Sequence, residues 1–518
     1  MFLCRESELS KMNKRYRSEH MECIVIYGRR RVGKTALINE FAKDKPTIFF
    51  PALRSTAREN LEALSKAIYC FMNPGAIQAP VYASFDAAFA EITRIAKKQR
   101  VVFVIDELPY LVKADPSVTS RLQHLLDHDW SDTKLYLILC GSSMSFMEKK
   151  VLSEKSPLFG RRTAQFKILP LTYLDAARFN PDLSPTDNAL IYGITGGIPH
   201  YINKLDVQDS IKEALLENFF DPSAYLFEEP ENLLKQELRE PAIYNSIIAA
   251  IAGGATKLNQ IADKTGNDTS VCTKYIKSLI ELGIVQKRLP VVQKSAKKTT
   301  YHISDNFFRF WYRFVPGNML AISSGNMERL YDAAVGSYLS SYMGLVFEDI
   351  CKQYLIHYAS ELPIQLQEIG EWWGPDPKQK KEVQIDIVAI GTKPNNTNAG
   401  RKFLIGSCKF KNEAIGSDEL DLMKEYSALF TTANDECYYY IFSKSGFTSS
   451  LKEKQRLGEV TLVSIEDMYF KESSNNNIGI SAMKEASQIA LKNGTAEMTL
   501  DEINEEISEA RNGLNTQK

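Results

Sequence analysis

CIVIYGRRRVGKTALINEF, residues 23–41, decides the fold. The run CIVIY is apolar, rich in β-branched residues and ends on Gly28, the pattern of a parallel strand buried on both faces. TALINEF then reads as helix. Between them, Gly28-Arg29-Arg30-Arg31-Val32-Gly33-Lys34-Thr35 has the spacing G-x-x-x-x-G-K-T. Placed between strand and helix, that spacing predicts a phosphate-binding loop. Its glycines let backbone N–H groups curl around phosphate oxygens, and the helix N-terminus adds partial positive charge. Residues Gly28 to Ala36 are therefore expected to hold ATP. Lys34 would reach the β and γ phosphates, and the Thr35 hydroxyl would ligate Mg²⁺.

Working outward, TIFFPAL (47–53), VVFVIDELPYL (101–111), KLYLILCGSS (134–143) and AQFKILPL (164–171) are four more strand candidates separated by helical segments. Strands that alternate with helices predict an α/β fold with a parallel sheet covered on both sides. At the end of VVFVID, Asp106 is expected in the magnesium shell and Glu107 is placed to polarise the attacking water. Ser142, or Ser143, at the end of the next strand is a candidate γ-phosphate contact. Arg161 and Arg162 precede the last strand and are candidates to stabilise transition-state charge.

The 518 residues exceed one ordinary core and predict about three domains. Net charge is -1, so any nucleic-acid site must be local. No apolar run approaches the roughly 20 residues of a membrane span, and the charged N-terminus lacks a signal-peptide core, so a cytoplasmic protein is expected. The 8 cysteines include no CxxC pair and read as reduced core residues. His124 and His128 lie four apart on LQHLLDH without an evident third ligand, which favours an ordinary helix face over a metal site.

YGRRRVGKT, FVIDEL, the GSS of residues 141–143, FGRRT and TGGIPHYI occur in that order. Together they resemble the archaeal-type branch of P-loop ATPases, with AAA-like and signal-transducing relatives, over roughly residues 1–240. The resemblance implies that Arg5 and Glu6 lie near the nucleotide base and that an arginine of FGRRT senses the γ-phosphate. It also implies that Gly197, Pro199 and the following helix form a lid contact to nucleotide. The core is expected over 1–170 and a helical lid over 171–240.

Residues 241–303 resemble a winged helix-turn-helix, with Thr269–Glu281 as recognition helix carrying Lys274 and Lys277. Lys287, Arg288, Lys294, Lys297 and Lys298 would form a wing that touches the phosphates of double-stranded DNA. An interdomain packing module is the alternative. A helical linker, 304–337, includes the aromatic NFFRFWYRFV. Residues 338–470 resemble a restriction-endonuclease-like domain. Glu348 on GLVFEDICKQYL, Asp386 on VQIDIVAI and Lys409 on FLIGSCKFKN follow the acid, acid, lysine plan in which Glu348 and Asp386 hold Mg²⁺. The sequence departs from that plan at Ser407, where an acid is expected. Either another acid, such as Glu413 or Glu368, completes the site, or the domain does not cut. The tail, 471–518, reads as polar and partly helical, with Thr499 and Glu502 as a capping box. It resembles the toxin-binding helix of some antitoxins. The combined expectation is an ATPase coupled to a DNA-binding or nuclease-like module. The alternative is a nucleotide-dependent switch or scaffold with an inactive nuclease-like domain, and an oligomer is compatible with both.

Overall fold

The parallel strands form as expected. In this computed structural model, which describes residues 2–205, 207, 209–238, 240–292, 294–392 and 400–470, they are β1 (Glu22–Tyr27), β2 (Thr47–Pro51), β3 (Val101–Asp106), β4 (Leu135–Gly141) and β5 (Ala164–Lys167). All pairings are parallel, in the order β2-β3-β4-β1-β5. Alternate side chains feed two cores. Val25, Phe103 and Leu137 enter one with the helices Ala57–Met72 and Phe85–Lys98. Ile24, Val104 and Ile138 enter the other with Leu37 and Phe41 of the helix Lys34–Ala42. Each large side chain buried in this way contributes about 2 kcal/mol. That two-sided burial is why these strands read as continuous apolar runs. Because β4 lies between β1 and β3, its end places Ser142 between the phosphate loop and the Asp106-Glu107 pair.

The fifth strand is shorter than AQFKILPL, since ladder pairing with β1 stops at Lys167. Beyond it Leu171 donates instead to the Gly197 carbonyl at 2.7 Å. Gly196 and Gly197 both adopt left-handed φ, +66° and +67°. A Cβ on Gly197 would meet the Leu171 carbonyl oxygen at 2.3 Å, so only glycine fits this turn between Pro185–Thr195 and Pro199–Ile202.

Helices Ile211–Phe219 and Tyr225–Glu237 follow, then Pro241–Ala252, Leu258–Thr265 and Thr269–Glu281. A hairpin of β6 (Val285–Arg288) and β7 (Thr300–Ile303) comes next. The aromatic run forms the helix Asn306–Phe314, whose first N–H groups are capped by Asp305 Oδ1 at 2.8 and 3.2 Å. It is buried because it knits segments together. Phe307 stacks on Tyr201 at 4.1 Å, and Trp311 donates to the Phe227 carbonyl at 2.6 Å. The helix Ser337–His357 then leads into a mixed sheet of β8 (Leu366–Asp376), β9 (Lys381–Gly391), β10 (Lys402–Lys409), β11 (Glu436–Ser443) and β12 (Thr461–Ser464). β8, β9 and β10 are antiparallel; β10, β11 and β12 are parallel. Among the described residues no helix is long and apolar enough to cross a membrane. The expected tail helix, with Thr499 and Glu502, lies outside the described residues.

Candidate nucleotide site and a second carboxylate cleft

Gly28 and Gly33 explain the shape of the phosphate loop. A Cβ on Gly28 would sit 2.2 Å from the Ile168 carbonyl oxygen, and Gly33 takes φ +93°. Arg31 is also left-handed, at φ +71°. Lys34 is buried and donates from Nζ to the Gly28 and Arg29 carbonyls, both at 2.9 Å. Burial pulls its pKa below the ordinary value, while nearby Cys140, Glu107 and Asp106 oppose that shift. Thr35 Oγ1 donates to Asp106 Oδ2 at 3.0 Å. The two hard oxygen donors predicted for Mg²⁺ therefore face each other at the end of β3, a donor set that fits the ion. Glu107 has φ +55°. Its Oε2 accepts the Ser142 N–H at 3.2 Å, which turns the carboxylate toward the loop side of β4.

Arg5 touches the phosphate loop from outside: Nη2 donates to the Leu169 carbonyl at 2.5 Å and to the Val32 carbonyl at 3.4 Å. Its neighbour Glu6 pairs with Arg178 at 2.5 Å. Pro199 packs over Gly33, its Cγ 3.9 Å from where a Cβ would stand. The lid turn at Gly197 and Pro199 is thus brought to the loop.

Arg161 and Arg162 are not. Thr163 N donates to the Cys23 carbonyl, which sets both arginines beside the start of β1. The phosphate loop begins at its other end, five residues or roughly 16 Å away. Arg161 is held by Asp127 in a two-pronged pair at 2.6 and 2.8 Å, and Arg162 lies over the Phe159 ring. Both arginines thus stand away from the phosphate loop of their own chain. The sequence motif is local, whereas which end of a strand it marks depends on strand direction.

The three loop arginines, expected with the rest of the loop to hold ATP, also have ion-pair partners that the sequence does not mark. Arg29 pairs with Asp305, Arg30 with Glu237 and Arg31 with Glu229. Glu229 and Asp305 are almost fully buried. Arg30 also donates to the Tyr110 hydroxyl at 2.5 Å. Arg31 lies over the Tyr225 ring at 5.2 Å. Three consecutive arginines are an unusual loop filling, and that was the available signal.

The wing cations do not face outward as a group. Arg288 pairs with Glu371 at 2.5 Å, Lys294 with Glu368 at 2.6 Å, and Lys298 donates to the Trp373 carbonyl at 3.4 Å. These contacts join the hairpin to β8, while Lys287 and Lys297 are exposed. Lys274 and Lys277 of the expected recognition helix are exposed.

In the mixed sheet, Asp386 Oδ2 accepts the Cys408 N–H at 2.9 Å and lies 4.0 Å from Lys409 Nζ. Burial raises the Asp386 pKa, opposed by Lys409. Burial, then Asp386 and Glu371, push Glu348 up to about 8, so these carboxyls share one low-dielectric cleft. The acid beside Ser407 is neither Glu413 nor Glu368. It is Glu419, on the helix Ser417–Ser427: Ser407 Oγ donates to Glu419 Oε1 at 2.7 Å, and Lys409 Nζ pairs with the same oxygen at 3.1 Å. Nothing in the local spacing marks Glu419, because a turn and a change of element separate it from the lysine. Among the described residues, no three His, Cys, Asp or Glu converge as a metal cluster.

Residues 2–205 match a family model described as an ATPase domain predominantly from Archaea. An uncharacterized protein of Methanocaldococcus jannaschii is 31% identical over 477 residues, covering 90% of this chain and 100% of that protein. The chain belongs to this archaeal ATPase family. It carries the family's ATPase domain, which implies nucleotide binding. Residues 311–421 match a second model, described as archaeal and bacterial proteins of unknown function. An uncharacterized ATP-binding protein of the same organism is 42% identical over 45 residues, 9% of this chain and 76% of that one. Among solved structures, the Walker-type ATPase paby2304 of Pyrococcus abyssi is similar over 60% of this chain and 96% of its own, with 19% identity and TM-score 0.45. The Orc1 protein of Aeropyrum pernix in complex with DNA is similar over 64% and 94%, with 15% identity and TM-score 0.34.

Proposed function

We propose that this ATPase uses its nucleotide state to control the C-terminal module through the three loop arginines. One observation carries the reading: the phosphate-loop arginines are ion-paired to acids of the later chain, Arg30 and Arg31 to Glu237 and Glu229 on the helix Tyr225–Glu237, and Arg29 to Asp305 at the start of the aromatic helix. Phosphate oxygens bound in the loop would compete with Glu229, Glu237 and Asp305 for the same guanidinium groups. Asp305 also caps the aromatic helix, whose Arg309 pairs with Asp349 at 3.4 Å, next to Glu348. Changes at the loop therefore have a short polar route to the second cleft.

In turnover, Lys34 would leave the loop carbonyls for the β and γ phosphates. Thr35 and Asp106 would hold Mg²⁺, which when bound neutralises phosphate charge. Glu107, oriented by the Ser142 N–H, would polarise the attacking water. Arg5 would brace the loop at Val32, with Glu6 anchoring its helix through Arg178. Gly197 and Pro199 would cover the nucleotide. Arg161 and Arg162 would meet a nucleotide in a neighbouring copy of the chain, not in their own.

The second cleft favours a DNA-acting module over an inert scaffold, because Glu419 supplies the charge that Ser407 lacks. Glu348 and Asp386 would take a divalent cation, Glu419 would hold Lys409 and Ser407 beside them, and Lys409 would stabilise charge on a scissile phosphate. Exposed Lys274 and Lys277 would contact duplex phosphates. Incubating purified protein with Mn²⁺ or Mg²⁺, ATP and plasmid DNA tests this. Nicking lost in Asp386→Ala with ATPase retained supports the enzyme; no nicking with either metal, beside normal ATPase, leaves the nucleotide-controlled switch.

A further inference from the structure

The chain's net charge is -1, yet cations concentrate in one cavity of about 1090 Å³. It opens on the side of the loop where Glu107 and Ser142 stand. Two of its cations are already paired, Arg30 with Glu237 and Lys149 with Glu281 at 2.9 Å. Four others, Arg54, Lys113, Lys150 and Lys155, line the same space, are exposed, and have no ion pair among the described residues. Of the acids on its wall, Glu237 is occupied by Arg30, and Glu107 is held by the Ser142 N–H. Among the described residues, four cations without an ion pair against the single carboxylate of Glu107 leave the cavity with a net positive charge.

Two half-buried aromatic rings, Tyr110 and Phe146, share the wall with these cations. Cations that track a backbone, interleaved with aromatic faces on which bases stack, are the chemistry of single-strand nucleic-acid sites. The volume matches the upper end of small-ligand cavities. It has room for a short run of one strand and none for a duplex. An acidic peptide would satisfy the cations but would leave the two rings without a flat partner.

We infer that this cavity binds a short single-stranded nucleic acid by its phosphates and bases, against the Glu107 side of the nucleotide site. The site is separate from the recognition helix, Lys274 and Lys277 included, and from the second cleft. Its occupancy is measurable without ATP, so it does not depend on the coupling proposed above.

The test is fluorescence anisotropy of a short labelled oligothymidylate with the full chain, nucleotide-free, across a salt series. Four phosphate contacts predict that log K falls against log salt with a slope of about -2.8. The variant Lys150→Glu/Lys155→Glu should bind at least about tenfold more weakly, with the slope roughly halved. Phe146→Ala should lose about fivefold or more through stacking. Lys287→Glu/Lys297→Glu, on the hairpin, should bind like the parent. Basal ATP turnover and the melting temperature of Lys150→Glu/Lys155→Glu, two exposed positions, report on its folding. If that variant is unstable, Arg54→Gln/Lys113→Gln replaces it and should weaken binding in the same way. Absence of oligothymidylate binding by the parent overturns the inference. So does binding that the hairpin variant abolishes and the cavity variants leave intact. Equal binding of a matched polyglutamate, in competition with the oligonucleotide, overturns it in favour of an acidic protein partner.

Discussion

At the end of the parallel sheet, eight consecutive residues, Gly28 to Thr35, make the phosphate loop. In the mixed sheet, the second cleft draws Glu348 from one helix, Asp386 and Lys409 from two strands, and Glu419 from another helix. The first site is built largely from backbone N–H groups, whose positions follow from glycine conformations at fixed spacing. The second is built from side chains that meet only after four elements pack. The first can therefore be read in a line of sequence; the second loses a member as soon as one acid moves to another element.

Breaking the contiguous site should have the largest effect. Lys34→Ala removes the buried loop lysine proposed to reach the β and γ phosphates, and ATP hydrolysis measured by phosphate release should fall by about a thousandfold. A variant that hydrolyses ATP normally would sink the nucleotide assignment. Next comes the link between the two regions. Arg29→Ala leaves the almost fully buried Asp305 without its partner, and denaturant unfolding should show a loss of about 3 kcal/mol. Restoring much of that loss with Arg29→Met/Asp305→Asn would show that the unpaired charge, not the lost volume, is responsible.

The scattered site sharpens the contrast at a smaller scale. If metal-dependent nicking is found, Glu419→Gln should reduce it by about tenfold while ATP hydrolysis is unchanged. Ser407→Ala should cost less, because the serine only steadies Glu419 at 2.7 Å. Nicking insensitive to Glu419 would return the missing acid to some other residue. The smallest expected effect lies at the hairpin between the regions. Burial, with Arg288 and Arg309 nearby, lowers the His302 pKa from 6.5 to about 4. Between those values the unfolded chain takes up a proton that the folded chain refuses, so stability is present above pH 6.5 and is lost as pH falls toward 4. His302→Gln should flatten that part of the melting-temperature profile; an unchanged slope would place its origin elsewhere.

Much of the architecture was legible for plain physical reasons. Strands buried on both faces must be apolar throughout, so β1, β3 and β4 announce themselves. Thr269–Glu281 coincides with the expected recognition helix because its apolar residues repeat at helical spacing. The short fifth strand was less legible, since Ile168 to Leu171 are as apolar as a strand, yet after Ile168 donates to the Tyr27 carbonyl the segment turns away and Leu171 bonds to Gly197. Part of the wing was illegible for a related reason: Arg288, Lys294 and Lys298 look solvated until Glu371, Glu368 and the Trp373 carbonyl arrive from residues about eighty positions later in the chain.

By itself the sequence determined the parallel sheet, the phosphate loop and the acids Asp106 and Glu107, because each depends on neighbours in the chain or on the periodicity of one element. Only the tertiary structure decided that Arg161 and Arg162 stand beside the start of β1, that Arg29, Arg30 and Arg31 tie the loop to later elements, and that Glu419 accompanies Lys409. Those are questions of which side chains meet across the fold. Charge attracts through space, not along the chain, so its partners are fixed only when packing has set the distances.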